Sequence, residues 1–219
     1  MNNATHPREK LIHTAARLVH QQGWTITGIN QILNEAGIPK GSFYYYFRSK
    51  EALGVAVLQL HQANLKKVLE STLLNPALAP DEALASFLQA VHEGPMADVF
   101  RYGCPAGNFA SEIATQCPAL LAEATRALEL YREALRKLIE RARADGASAG
   151  DADPDALSSI ALMVLQGALL SYKCVGTVEP LELAHAELRR LVFGNRISAT
   201  LAQARLSAAH DRQPEALAS

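Results

Sequence analysis

Residues 37–50 read Gly37-Ile38-Pro39-Lys40-Gly41-Ser42-Phe43-Tyr44-Tyr45-Tyr46-Phe47-Arg48-Ser49-Lys50. Two glycines and a proline set a turn, because Gly reaches left-handed backbone at no steric cost and Pro fixes φ. A short helix follows, with basic residues at both ends. Phe43 and Phe47 stand four apart and face inward with Ile38. Ser42, Tyr44, Tyr45 and Tyr46 are left pointing out. Three adjacent phenols gain little from solvent. A nucleic-acid groove suits them, since each offers a flat apolar face and a hydroxyl for phosphate or a base edge.

The segments on either side have helical period. Leu11, Ala15, Leu18 and Val19 stripe a first helix that Gly23 ends. Thr27 is expected to cap a second, carrying Ile29, Ile32 and Leu33 and closed by Gly37. Two short helices joined by a glycine-containing turn make a helix-turn-helix, whose second helix enters the major groove. Thr27 and Lys50 fall at helix N-termini, where backbone N–H groups favour phosphate, and Lys40 and Arg48 add diffuse positive charge. Ser49 caps a fourth helix running to about Leu74.

Helical period continues to the end of the chain, with no clean two-residue alternation. Asp81 is expected to cap a helix to about Glu93. A turn at Gly103-Cys104-Pro105-Ala106-Gly107-Asn108 leads into a short helix that Pro118 ends. Leu121, Ala124, Leu128, Tyr131, Leu135, Leu138 and Ala142 mark a long amphipathic helix. Two more are expected near Asp155–Cys174 and Pro180–Arg205. The fold class is therefore all-α, with about nine helices. It divides into a helix-turn-helix domain over 1–53, a larger helical domain over 54–206 and a disordered tail over 207–219.

The bulk numbers agree. Of 219 residues, 49% are hydrophobic, enough for a real core, and the net charge of −1 excludes a highly charged disordered chain. Residues 1–60 hold six basic and three acidic side chains, against 15 and 19 in the rest, so one end alone suits a polyanion. Three cysteines (Cys104, Cys117, Cys174) without a CxxC pair indicate neither a disulfide framework nor a zinc site. No apolar leader follows Met1. The nearly uncharged stretch from Ala156 to Gly176 carries Gln166 and Lys173 and reads as a buried helix rather than a membrane span. The expected location is the cytoplasm.

From Arg8 to about Leu60 the chain resembles the DNA-binding domain of the TetR/AcrR family of bacterial repressors. The family pattern Ala-Gly-(apolar)-x-Lys-Gly-(Ser/Thr)-(apolar)-Tyr-x-(His/Tyr)-Phe-x-(Ser/Asn)-Lys-Glu-x-Leu stands here as Ala36 through Leu53. The resemblance implies an all-α homodimer without enzymatic activity or cofactor. Each protomer would read half of a palindromic operator on double-stranded DNA, and a pocket in the larger domain would take a small-molecule inducer. It carries DNA contacts onto Thr27, Lys40, Gly41, Ser42, Tyr44, Tyr45, Tyr46 and Lys50, with Tyr46 departing from the commoner His.

In the larger domain the last two helices are expected to form the dimer interface. Ala156, Ile160, Met163, Val164, Gly167, Leu170 and Ser171 mark one face, and Leu181, Ala184, Leu188, Leu191 and Val192 another. Cys104 opens a body helix, where backbone N–H groups favour a thiolate, and Lys173-Cys174 can approach from the penultimate helix. The Gly-Cys-Pro-x-Gly-Asn run resembles one in family members that sense reactive electrophiles and oxidants, making Cys104, Lys173 and Cys174 candidate sensing residues. The competing role for Cys104 is that of a small buried hydrophobe. The histidines do not cluster at metal-ligand spacing, and His92-Glu93 lacks the partner His of a zinc hydrolase. Two other functions remain open: a helical enzyme with Cys104 as nucleophile and His92 as base, and a DNA-binding protein that answers to no ligand.

Overall fold

A computed structural model describes residues 6–94, 97–113, 117–147 and 152–194. Among them all nine expected segments are helical, and no strand occurs. The helix-turn-helix comprises α1 (Pro7–Gln22), α2 (Ile29–Ala36) and α3 (Phe43–Tyr46), the last entered through a 3₁₀ turn at Lys40–Ser42. The body comprises α4 (Lys50–Ser71), α5 (Pro80–His92), α6 (Ala97–Phe100), α7 (Pro105–Ile113), α8 (Pro118–Ala144), α9 (Pro154–Val175) and α10 (Glu179–Phe193). The four-residue α6 is additional to the expected set, being too short for a periodic pattern to register. The expected end of the last helix near Arg205 and the tail over 207–219 lie outside the described residues.

Several boundaries follow local chemistry that differs from the sequence reading. The N-cap of α2 is Gly28, without a side-chain bond, and not Thr27. Thr27 is buried, and its hydroxyl donates to the Gly23 carbonyl at 2.6 Å. Asp81 lies inside α5, not at its cap: Pro80 takes the first helical position, where a missing N–H costs nothing. The Glu82 carboxylate accepts from Ala79 N–H at 3.1 Å, and Asp81 pairs with Arg189 of α10 at 3.0 Å. Pro118 opens α8 for the same reason that Pro80 opens α5. Ser49 does cap α4, accepting from Ala52 N–H at 3.2 Å.

The long α8 organises the body, packing against α4, α7 and α9, while α10 lies along α9 and α5. Leu120, Ala124, Ala127, Tyr131, Leu135, Leu138 and Ala142 are buried along one face. Glu123 is also buried, and it is paired: Gln62 donates at 2.8 Å, Gln59 at 3.3 Å and Arg126 at 2.5 Å. These bonds keep its carboxyl charged although burial opposes this. At the other end Arg141 donates to the Leu73 and Leu78 carbonyls at 3.0 and 2.6 Å, tying the loop between α4 and α5 to α8. Both contacts hold α4 in register on α8.

α4 also receives the helix-turn-helix. Trp24, in the α1–α2 loop, lays its ring on α4 at Gly54. A Cβ there would stand 2.7 and 2.9 Å from two Trp24 ring atoms and 2.8 Å from Leu120 Cδ2. Gly54 costs helix propensity of about 1 kcal/mol, offset by burying an indole. Gly54→Ala should regain that propensity and lose more to overpacking, about 1–3 kcal/mol. A urea melt is expected to show a lower midpoint than wild type, with a changed tryptophan emission maximum. An unchanged midpoint and spectrum would mean that the ring does not need the notch.

Candidate nucleic-acid interface and the cleft behind it

The tyrosine helix is arranged as its spacing suggests. Phe43 is fully buried and Phe47 nearly so, their centroids 5.9 Å apart, and the Arg8 guanidinium lies 5.1 Å over the Phe47 ring. Tyr44 and Tyr45 are 71% and 84% exposed, which leaves their hydroxyls free for a partner outside the protomer. Lys40 and Gly41 are exposed and Ser42 is half-buried. Tyr46 is half-buried, packed edge-on against Tyr45 at 4.9 Å and against His6 at 6.0 Å. The φ of +63° at Gly37 ends α2, and its N–H bonds back to the Asn34 carbonyl at 3.1 Å.

Two expected phosphate anchors have other employment. The Thr27 side chain has no exposed surface, and Gln22 donates to its hydroxyl at 3.1 Å. The Lys50 ammonium donates to the Trp24 carbonyl at 2.6 Å and sits 4.4 Å from the indole centroid. Burial holds its pKa below the ordinary ammonium range, against the pull of Glu51 and Glu112. Both residues fasten the first loop of the motif. A helix N-terminus was legible in the sequence, but a loop carbonyl folding back over it was not.

That loop is also fastened from the body. Glu112, near the end of α7, accepts from Trp24 N–H at 3.1 Å and Thr25 N–H at 2.8 Å. A side chain at Gly23, where φ is +101°, would meet the same carboxylate at 3.0 Å. The Trp24 ring is 5.3 Å from Phe109, one turn earlier on α7. Sequence reasoning passed over Trp24, Gly54 and Glu112. The lone tryptophan was the available signal.

At the other end of α7 the Cys104 thiol is buried. Burial pushes its pKa up, opposed by the nearby Gly107 N–H, Gln166 amide, Ala106 N–H and Tyr131 hydroxyl, although Gln166 Nε2 and the Tyr131 hydroxyl make no hydrogen bond. The expected thiolate-favouring N–H groups are present, but desolvation outweighs them and the resting group is a thiol. Lys173 comes alongside this turn: its Cδ would lie 3.3 Å from a Cβ on Gly103, and Nζ donates to Asn108 Oδ1 at 3.5 Å. Cys174, the next residue, is exposed, while Cys117 is half-buried ahead of α8. His92 faces Glu93 at 3.5 Å rather than the thiol.

Between α1, α4, α6 and α7 lies a cavity of about 430 Å³. His61 of α4 is buried in its wall, and burial lowers its pKa to about 4. His20 of α1 bonds to the Val99 carbonyl and is likewise lowered, chiefly by burial.

On the outer side of the body, Ala156, Ile160, Met163, Gly167, Leu170 and Ser171 of α9 are exposed on one face, with Met163 69% and Leu170 60% accessible. The expected α10 face is not available. Leu181, Ala184, Leu188 and Val192 are buried inside the protomer, where α10 packs on α9 and α5. Leu183, 63% exposed, marks the side of α10 that faces out. Both faces have helical period, and only packing distinguishes them.

A helix-turn-helix held to a helical body, with a cleft where the two meet, defines a class of regulators coupling a DNA reader to a second domain. The comparisons narrow this. Residues 11–57 match the family model for bacterial regulatory proteins of the tetR family, and 80–188 match that for the tetracyclin repressor-like C-terminal domain. The transcriptional regulator AcuR of Cereibacter sphaeroides is 31% identical over 179 residues, covering 82% of each chain. The crystal structure of a regulatory protein TetR from Rhodobacter sphaeroides superposes with a TM-score of 0.77 at 30% identity, over 84% of this chain and 97% of that one. Escherichia coli NemR in its reduced form gives 0.73 at 27%, over 85% and 97%. The chain belongs to the TetR family of DNA-binding transcriptional regulators.

The buried imidazole has a consequence for acid stability. The unfolded chain takes up a proton on His61 near pH 6.5, while the folded protein resists until about pH 4. Folding stability should therefore be intact above pH 6.5 and fall as pH drops toward 4, by on the order of 3 kcal/mol from His61. His20 acts in the same direction. Urea melts at pH 7, 5.5 and 4.5 should show this loss, and His61→Phe should flatten most of the slope. An equal slope in the variant would place the proton uptake elsewhere.

Proposed function

We propose that this protein is a homodimeric repressor that binds a palindromic operator and leaves it when a small-molecule inducer occupies the body. The observation that carries this reading is the pair of accessible tyrosines, Tyr44 and Tyr45, on a helix pinned from behind by Phe43 and Phe47. Lys40, Gly41, Ser42, Tyr44, Tyr45 and the edge of Tyr46 form the contact surface, while Thr27 and Lys50 hold that surface in place. Few of these groups read bases, so phosphate contacts supply much of the affinity and make it steeply salt-dependent.

The exposed apolar stripe on α9, continued by Leu183 of α10, meets its symmetry mate about a two-fold axis. Such a dimer sets two tyrosine helices about 34 Å apart, or a multiple of that, along the duplex. The same stripe explains why α9 has the length and hydropathy of a membrane span. In a cytoplasmic dimer its outer face is covered by protein.

Inducers include reactive electrophiles that reach Cys104. With an unsaturated carbonyl, a C–S bond forms at the β-carbon as the C=C π bond breaks, and the thiol proton passes to the α-carbon. The adduct fills a chamber already closed by Tyr131 and Gln166, so α7 must shift. The kinship with NemR, a relative studied in a reduced form, supports a redox-responsive branch. To drive occupancy from 99:1 to 1:99 an inducer must favour the released state by about 5.5 kcal/mol. A nucleophilic enzyme is the weaker reading, because His92, the base it would use, faces Glu93. A regulator without a ligand is disfavoured by the cavity.

Tyr45→Ala should lower operator affinity at least tenfold in a gel shift at moderate salt, with the dimer unchanged by light scattering. Unaltered affinity would remove the tyrosine helix from the interface. Cys104→Ser should bind operator normally and resist release by an unsaturated aldehyde. Equal sensitivity in the variant would end the electrophile role for this thiol.

A further inference from the structure

We infer that the cleft between α1, α4, α6 and α7 is a ligand site of its own, distinct from the Cys104 chamber. Its ligand is a small, uncharged, mostly apolar molecule bearing one hydrogen-bonding oxygen, of the phenol class. The site rests on the cavity and its imidazoles, while any effect of the ligand on DNA rests on the repressor reading above.

The cavity, at about 430 Å³, has the size of a small-molecule pocket. Its walls include Val57, Leu60, Val99 and Phe109, which supply an apolar surround. Two imidazoles, His20 and His61, share that wall with the exposed Gln21 and Asn64 and the half-buried Asn108. His61 is 7% exposed and its Nε2 has no hydrogen-bond partner; Nδ1 of the half-buried His20 has none either. A buried polar atom left unpaired costs what a hydrogen bond would return; both nitrogens are closed off from solvent, and a ligand oxygen relieves the penalty once the His61 ring turns toward it. A hydroxyl both donates and accepts, and it meets either tautomer of a neutral imidazole.

Charge selects against ions. The charged groups lining the cleft are Arg17, Asp98, Arg101 and Glu112, two of each sign. Arg17 is paired with Glu35, and Glu112 is committed to the Trp24 and Thr25 N–H groups. Asp98 and Arg101 are exposed to water. Burial keeps both histidines neutral, so an anion or cation entering the cleft would lose its hydration against uncharged imidazoles.

The placement also gives the ligand leverage. Phe109 forms part of the wall and touches the Trp24 ring, and Glu112 lies one turn further along α7. A molecule wedged between α1 and α7 therefore bears on the clasp that sets the helix-turn-helix against the body. Cys104 is not part of this lining, and its chamber opens to α8 and α9 through Tyr131 and Gln166.

The test uses the full-length dimer and isothermal calorimetry with 2-naphthol, and with 2-naphthoate as its anionic counterpart. Expected are saturable binding of one 2-naphthol per chain and binding of 2-naphthoate weaker by about tenfold or more. His61→Phe should weaken 2-naphthol about tenfold, His61→Gln should keep most of the affinity, and Cys104→Ser should leave it unchanged. Absence of saturable binding, full affinity in His61→Phe, or loss in Cys104→Ser alone would overturn the site. Should His61→Phe not fold, the His61 ring-nitrogen resonances of the wild-type protein must move on adding 2-naphthol, and a static spectrum overturns the assignment. A gel shift separates the two readings: His61-dependent binding in a protein that ignores every palindromic duplex upholds the site and sinks the repressor.

Discussion

The packing of Trp24 is the contact on which the arrangement of the two domains depends. One residue of a surface loop sends its ring into a notch on α4 that exists only because residue 54 has no side chain. Its carbonyl accepts from Lys50, and its N–H donates to Glu112. Two helices of the body, α4 and α7, are thus tied to the loop that aims α2 and α3. A buried indole contributes large apolar area and little freedom to reorient, so the loop has one seat rather than several. The reader moves with α4 and α7 or not at all.

This explains the division of labour along α7. Cys104, buried just ahead of its first turn, stands at one end, and its last turn carries Glu112 to the clasp. A nine-residue helix is a stiff rod about 13 Å long, so a shift imposed at one end reaches the other. The interactions at the two ends differ in kind. At Cys104 a thiol gives up solvation for neighbouring backbone and side-chain dipoles, and burial wins. At Glu112 a carboxylate takes two loop N–H groups that would otherwise face water. Such a charge-assisted pair is strong enough to hold the loop and has few enough bonds to be reversible.

Within the body, α4 is held to its neighbour at both ends. α4 is locked to α8 by the Glu123 network at one end and by Arg141 at the other. α9 and α10 meanwhile leave an apolar face outward. A second protomer on that face would fix the distance between two readers, and a change in α4 tilt would alter that distance. Small shifts become large ones because packed helices have a few allowed seats rather than a continuum.

The sequence by itself determined the all-helical fold, the helix-turn-helix and the exposure of Tyr44 and Tyr45. These depend on local rules: a period of 3.6, Gly and Pro at turns, and aromatic residues four apart on one face. It also picked out the outward stripe on α9. Only the tertiary structure decided that Thr27 and Lys50 are internal fasteners, that the α10 stripe is core, and that Cys104 rests as a thiol. It alone revealed the Trp24 seat, the Glu112 clasp and the imidazole-lined cleft. Each of these joins residues far apart in the chain, such as Trp24 with Glu112 or His20 with Val99. Helical period says which way a side chain points from its own axis. What stands opposite is fixed only when the helices pack, and desolvation, pairing and cavities are all properties of what stands opposite.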